Sequence, residues 1–548
     1  MKRAAFLAGA CALVLLAACG PGEAPKSAGG PAQMRRLTED QYRAGIADIF
    51  GADIKVAGRF EPDNRKGGLL ALGAAIVTIT PAGFEQYDGM ARTIAAQVLD
   101  DQHYDKLIGC KPASDTAPAD NEEARACTRQ TVQKYGRLLF RRTLGEAEIG
   151  QRVAEAGAAT ERLGTYKAGL SHALVRLMDS PDFLFRVETT EPDKSGGVRL
   201  AATAKATRLS YLLWNTTPDD ALLAAAEAGK LDSKEGLKAE IDRLMASPRL
   251  VDGTRAFLAD FLQLADVDAL AKDPLVYPVY NQKVLQAARE QTLRTLTSLL
   301  LEEKRDYREI FTSRRTFMTK VLGPVYWVPV ESREGWEPFE FATDDPRAGI
   351  LTQISFTALH AHPGRSSATL RGKAIREILL CQPVAAPPAN VNFSIVQDTS
   401  NAQFKTARDR LTAHRSDPTC AGCHKVIDPI GLALEQFDGM GQLRAEENGT
   451  AIDASGDLDG RAFRDAAGLG AALAKDPAAP VCFADSLFRY ATGRDWQEGE
   501  RAWQAWLQQS FARDGYRLPD LLRRIALSDA FYAVAPETSA APVKEARQ

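Results

Sequence analysis

The sequence predicts a mainly α-helical protein built from several helical bundles, with one small turn-rich or hairpin element. Apolar residues recur at helical spacing along most of the chain. A hydrophobic share of 45% in 548 residues is enough to fill several cores. Residues 451–463 are short and rich in turn formers, which is typical of a small hairpin.

The N-terminus resembles a bacterial lipoprotein signal. Lys2 and Arg3 precede a short apolar run, and Leu16-Ala17-Ala18-Cys19 matches a lipobox. We therefore expect a signal peptide over 1–18 and a lipid on Cys19, followed by a flexible tether over 19–34. Gly20 rather than Asp follows the cysteine, which favours the outer membrane, facing the periplasm or the surface. A plain secretory peptide is the alternative.

Breaks in the apolar pattern divide the rest of the chain. Residues 191–197 read as a linker, and residues 325–344 are aromatic, charged and irregular. We expect five helical segments and a disordered tail: 35–105, 106–190, 198–326, 345–446, 447–534 and the tail 535–548.

Helices are expected throughout these segments. In the first segment Thr38 is a candidate N-cap, with Gln41 as its capping-box partner. The apolar spacing predicts further helices over 82–99, 127–140, 146–161, 166–178, 201–213, 237–246, 250–264, 282–303, 370–381, 404–416, 466–474, 481–492, 498–513 and 518–527.

Charge and motifs exclude several classes of protein. The net charge is −3 and both signs are mixed along the chain, which disfavours a nucleic-acid partner. The sequence contains no nucleotide-binding glycine motif, nucleophile elbow or metalloprotease helix.

The most informative stretch is Cys420-Ala421-Gly422-Cys423-His424. This C-x-x-C-H pattern is the attachment signature of c-type haem. Two thiols at this spacing can reach the two vinyl groups of one porphyrin edge, and the adjacent His is then the proximal iron ligand. A zinc half-site or a redox pair remains an alternative, and the exported context favours haem.

The sixth ligand would decide the chemistry, since a second His or a Met gives an electron carrier and an open position permits reactions. The candidates, in order of preference, are His362, His414, His360 and Met440. Arg365 and Arg371 are candidates for pairing with haem propionates.

Four cysteines remain outside the signal and the C-x-x-C-H motif. An even number in an oxidising compartment favours disulfides. Cys110 and Cys127 bracket a polar loop and form the natural pair, which leaves Cys381 with Cys482. Three pairings are formally allowed.

The order of these motifs resembles a bacterial family built from domains of unknown function. RRLTEDQYRAGIADIFG (35–51) is similar to DUF1587, and FRRTLGEAEI (140–149) to DUF1595. The stretch from 208 to 231 resembles DUF1592, and the C-x-x-C-H region resembles DUF1588. IDASGDLDG and the residues after it resemble DUF1585, while Ser366-Ser367-Ala368 departs from the family's usual Ser-Pro ending.

The resemblance implies export and a cytochrome-c-like segment, together with a partner protein encoded nearby. We therefore expect a lipid-anchored mono-haem c-type cytochrome that exchanges electrons with a redox partner or substrate at the cell envelope. It would be the electron-transfer subunit of an oxidoreductase. The alternatives are a scaffold or binding lipoprotein with a structural C-x-x-C-H, and a haem peroxidase-like enzyme.

Overall fold

The computed structural model describes residues 24–116, 120–193, 196–386, 394–416 and 418–536. The signal peptide, Cys19 and the last part of the predicted tail lie outside these residues. Within them the fold is mainly α-helical with small two-stranded sheets, which confirms the predicted fold class.

The N-terminal half of the chain forms thirteen of the helices described. They are α1 Glu39–Phe50, α2 Leu70–Gly73, α3 Pro81–Val98, α4 Tyr104–Leu107, α5 Glu122–Phe140, α6 Glu146–Leu163, α7 Tyr166–Met178, α8 Pro181–Leu184, α9 Ala202–Leu213, α10 Asp220–Glu227, α11 Lys234–Ala246, α12 Leu250–Phe261 and α13 Gln282–Thr297. The predicted start of α1 is confirmed, because Thr38 and Gln41 form both hydrogen bonds of a capping box.

Eleven further described helices follow. They are α14 Gly323–Tyr326, α15 Ile354–Leu359, α16 Ala368–Ala374, α17 Ser394–Gln397, α18 Ala407–His414, α19 Pro418–Leu432, α20 Ala466–Ala474, α21 Ala478–Thr492, α22 Arg501–Arg513, α23 Leu518–Leu527 and α24 Asp529–Tyr532. Both α13 and α16 continue into a wider π-helical turn, Ser298–Glu302 and Ile375–Leu379.

Ten short strands pair as five antiparallel hairpins or ribbons. The pairs are β1 Met34–Arg36 with β2 Phe185–Val187, β3 Thr190–Pro192 with β4 Val198–Leu200, β5 Arg315–Met318 with β6 Glu337–Glu340, β7 Glu446–Glu447 with β8 Thr450–Ala451, and β9 Gly456–Leu458 with β10 Arg461–Phe463. The region predicted as one hairpin therefore contributes to two, and the predicted linker 191–197 falls within the β3–β4 hairpin.

Buried apolar residues form two large cores. One lies among α1 and α3–α8, and the other is shared by the helices from α9 to α24. A small satellite cluster of Ala368, Leu411 and Leu432 joins α16, α18 and α19. The C-x-x-C-H region is thus attached to the larger body through three helices.

The predicted tether is bound to the body over part of its length. The Ser27 hydroxyl donates to Glu500 at 2.8 Å, and Gly30 pairs with Val534 in a parallel bridge. Residues from Ser27 onward therefore lie on the C-terminal helices, contrary to the expectation of a flexible tether up to residue 34.

Candidate functional site

The C-x-x-C-H motif lies on α19, which we call the motif helix. Residues spaced by three and four share one face of an α-helix, so Cys420, Cys423 and His424 point to the same side. Proline usually ends a helix, but this helix continues through Pro429 to Leu432.

Two glycines allow the backbone of the motif helix to contact the backbone of α16 directly. A Cβ atom at Gly431 would lie 1.8 Å from the carbonyl oxygen of Ala368. A Cβ at Gly372 would lie 2.0 Å from the carbonyl oxygen of Ile427. Neither position has room for a side chain, so the crossing fixes the motif helix relative to α16.

The orientation of His424 is set by a buried carboxylate. Its Nδ1 lies 3.0 Å from both oxygens of Asp428, four residues further along the same helix. The Asp428 side chain is 0% exposed and that of His424 is 13% exposed. Because an ionised carboxylate only accepts hydrogen bonds, Nδ1 is the donor in this contact, and a neutral imidazole then has its lone pair on Nε2.

Thr369 of α16 completes this arrangement. Its hydroxyl donates to Oδ1 of Asp428 at 3.1 Å. The chain Thr369–Asp428–His424 is the kind of support that fixes the tautomer of a metal-ligating imidazole and raises its basicity. Sequence reasoning missed Asp428 in this role, although its i, i+4 spacing from His424 was a usable signal.

The two motif cysteines take part in neither disulfide. Cys420 is buried and Cys423 is partly exposed. The disulfides join Cys110 to Cys127 and Cys381 to Cys482, the pairing that the sequence analysis favoured. Two thiols and an oriented imidazole on one helical face are the donor set that covalent haem attachment requires.

His414 lies against His424 itself. The two imidazoles meet edge to face with ring centroids 4.7 Å apart. A ligand on the distal side of a porphyrin is separated from the proximal ring by the macrocycle. The contact brings His414, one of the four distal candidates, directly beside the imidazole of His424.

The other three candidates for the distal ligand make their contacts away from His424. His360 packs against Phe356, and burial, with Arg371 and Lys272 nearby, lowers the pKa of His360 to about 3. His362 pairs with Arg365 across a tight turn. Met440 is buried in the larger core. The described contacts bring none of these three side chains to His424.

The two arginines proposed to pair with haem propionates differ in their burial and in the hydrogen bonds that they already make. Arg371 is fully buried and donates to the backbone carbonyls of Thr357, Leu434, Phe437 and Asp438. Propionate binding would have to break these bonds, so Arg371 acts as a brace of the backbone. Arg365 is half-buried and donates to the carbonyl of Val396 at 3.4 Å, which leaves most of its donors available.

The described residues contain no group of three or more His, Cys, Asp or Glu side chains placed to hold a metal ion. In the same part of the chain, no helix has the length and apolar character needed to cross a membrane.

The fold and the motif helix together define a multi-domain α-helical protein with a C-x-x-C-H segment. Five family models match it, each described as a protein of unknown function: DUF1587 at 35–100, DUF1595 at 127–188, DUF1592 at 200–328, DUF1588 at 347–447 and DUF1585 at 459–531. The chain belongs to the bacterial family built from these five domains. Neither a curated protein nor a solved structure gave a significant match.

Proposed function

We propose that the protein is an exported mono-haem c-type cytochrome that transfers electrons to or from a partner at the cell envelope. The observation that carries this proposal is the hydrogen bond between His424 and the buried carboxylate of Asp428. It leaves Nε2 of the imidazole available as a ligand, on the same helical face as the two motif thiols.

Each residue of the motif has a distinct role in this proposal. Cys420 and Cys423 hold the macrocycle by thioether bonds, and His424 is the proximal ligand. Asp428 holds the imidazole in one tautomer and orientation, and Thr369 holds Asp428. When bound, haem c supplies a one-electron iron couple, and the helical body positions the partner.

The two disulfides of the chain support export. Cys110–Cys127 and Cys381–Cys482 are typical of an oxidising compartment. The proposed attachment of haem to thiols would require such a compartment as well. We propose that Cys19 carries the lipid that anchors the protein, with a redox partner protein encoded nearby.

The test is a pyridine haemochrome spectrum of the full chain, produced with a periplasmic haem-attachment system. We expect one covalently bound haem per chain, and loss of covalent haem in the Cys420→Ser/Cys423→Ser double variant. Lys425→Ala, at an exposed neighbouring position, is the matched control and should retain the haem. A folded wild-type protein without covalent tetrapyrrole would refute the proposal.

A second candidate is a haem peroxidase-like enzyme, and Asp428 favours it specifically. A carboxylate bonded to Nδ1 makes the imidazole a stronger electron donor to iron, which suits an open distal position that activates a ligand. Carbon monoxide distinguishes the two candidates. A shift of the Soret band on adding it to the reduced protein indicates an accessible sixth position, and an unchanged band indicates a six-coordinate carrier.

A further inference from the structure

A polar cavity of about 430 Å³ lies where four of the five family segments meet, away from the motif helix. Its lining includes Gln41 and Asp63 from the first segment, Arg186 from the second, Asp260 from the central one and Tyr490 from the last. An adjoining cavity of about 520 Å³ shares Asp40, Asn215 and Arg289 with it. Ligand-binding cavities commonly have this size. We call the smaller one the junction cavity.

Arg186 is the unusual member of this lining. The residue is 5% exposed, and its Nε has no hydrogen-bond partner. Its guanidinium lies over the ring of Tyr211, 4.6 Å from the centroid. The nearby carboxylate of Glu188 is already shared between Arg35 and Arg208. Among the described residues, therefore, no carboxylate forms an ion pair with Arg186.

Four of the five acidic residues that line the junction cavity pair with arginines other than Arg186. Asp63 pairs with Arg36 at 3.0 Å. Asp260 pairs with Arg65 at 2.8 Å and also accepts from two backbone N–H groups of α2. Asp40 also lines the cavity and forms no ion pair among the described residues, but it is exposed. The uncompensated buried charge in this cavity is therefore the positive charge of Arg186.

An unpaired buried charge is costly, and burial lowers the pKa of Arg186. A carboxylate entering the cavity would remove this cost, because its two oxygens match the donor fork of a guanidinium. The Tyr490 side chain lines the same cavity and offers a hydroxyl donor. A dianion such as phosphate would instead add net negative charge beside Asp63 and Asp260.

We propose that the junction cavity binds a small organic monocarboxylate, whose carboxylate pairs with Arg186. The site needs residues from four family segments, so it exists only when they are packed together. It is independent of the haem proposal, because none of its named residues lies in α16, α18 or the motif helix.

The test uses the full chain and three probes at equal ionic strength: acetate, gluconate and inorganic phosphate, with acetamide as the uncharged analogue of acetate. Binding is measured by calorimetry and by the shift in Tm. We expect saturable binding of acetate and gluconate, weaker binding of phosphate and none of acetamide.

The variants separate binding from folding. Arg186→Met should weaken gluconate binding at least tenfold and leave the Tm of the ligand-free protein unchanged or higher, since an unpaired charge is removed. Tyr490→Phe removes one hydroxyl, should weaken binding less, and remains informative if Arg186→Met fails to fold. Arg305→Met, at an exposed position paired with Glu309, is the matched control and should bind like wild type.

Three results would overturn the proposal. The first is that the folded wild-type protein shows no saturable binding of either carboxylate. The second is that a folded Arg186→Met variant binds gluconate as tightly as wild type. The third is that phosphate binds more tightly than gluconate, which would refute the monocarboxylate assignment.

Discussion

Two buried carboxylates of the molecule differ in whether the groups bonded to them leave an atom for a ligand. In the Glu188 cluster, the carboxylate accepts from Arg35 at 3.2 Å and from Arg208 at 2.6 Å. In the His424 cluster, the carboxylate of Asp428 is equally buried, but only Nδ1 of the imidazole is bonded to described residues. Both oxygens of the first carboxylate accept from neighbouring groups, and this pairing serves stability. The second carboxylate supports an imidazole whose other nitrogen can bind a ligand.

The largest loss of stability is expected from Glu188→Gln. The new amide N–H group would face the donors of Arg35, Arg208 and the Gln33 backbone, and two buried guanidinium groups would lose their counter-charge. Breaking a buried pair in this way costs about 3–5 kcal/mol. Chemical denaturation measures the loss. Glu39→Gln, which removes an exposed pair with Arg43, should change stability by less than about 1 kcal/mol.

The same cluster predicts an acid limit to stability. Burial alone would raise the pKa of Glu188, but Arg208 and Arg35 outweigh it and lower the pKa to about 2. A depressed folded-state pKa stabilises the protein above the unfolded-state value and loses that contribution as the pH falls toward 2. Wild-type stability should decline from about pH 4.5 downward, and this part of the decline should be absent in Glu188→Gln.

The next effect concerns the helix crossing that supports the His424 cluster. Gly431→Ala would force apart α16 and the motif helix, and we expect a loss of about 1–3 kcal/mol, as in overpacked cores. Gly422→Ala lies on the same helix and meets nothing within 4 Å, so it is the matched control. Equal stabilities of the two variants would contradict the rigid crossing.

Asp428→Asn is expected to have a smaller effect on stability and to change the redox potential of the proposed haem iron. The amide keeps the shape but removes the negative charge behind the imidazole. If haem binds as proposed, its midpoint potential should rise by about 60 mV, a tenfold change in a one-electron equilibrium. Asp457→Asn, in the β9–β10 hairpin, is the control. An unchanged potential in Asp428→Asn would show that the carboxylate only positions the helix.

The smallest effect on stability should come from a second histidine, His103 of the N-terminal body. Asp100 and Asp53 raise the pKa of His103, against the effect of burial. A raised folded-state pKa stabilises at low pH and loses that contribution as the pH rises through it. His103→Gln should therefore reduce stability slightly at pH 5 and leave it unchanged at pH 9, measured by Tm.

The sequence was sufficient to predict those parts of the structure that depend on the spacing of nearby residues. The capping box of Thr38 and Gln41 and the three–four spacing of Cys420, Cys423 and His424 depend on neighbours in the chain. Contacts between distant residues were mostly not predictable, and the exception is the Cys381–Cys482 disulfide, which was reached by elimination among the cysteines. The pairing of β1 with β2 joins residues some 150 positions apart, and Arg186 is placed in the junction cavity by packing of four segments.

Asp428 is an intermediate case. Its spacing from His424 was visible, but the following Pro429 favoured a turn, and proline usually ends a helix. Here the tight crossing at Gly372 and Gly431 stabilises the helix enough to continue through it. Tertiary packing therefore overrode a local preference at the residue that orients the imidazole.

The attachment of residues 27–30 to the C-terminal end has a practical consequence. The backbone N–H of Ala535 donates to the carbonyl oxygen of Gly30 at 2.9 Å, so the two ends of the described chain lie side by side and are hydrogen-bonded. A circular permutant that joins these two ends with a few glycines and has its new termini at the exposed turn of Gly449 should fold. In such a permutant the new termini emerge from the β7–β8 hairpin, which gives a second point for immobilising the protein on an electrode.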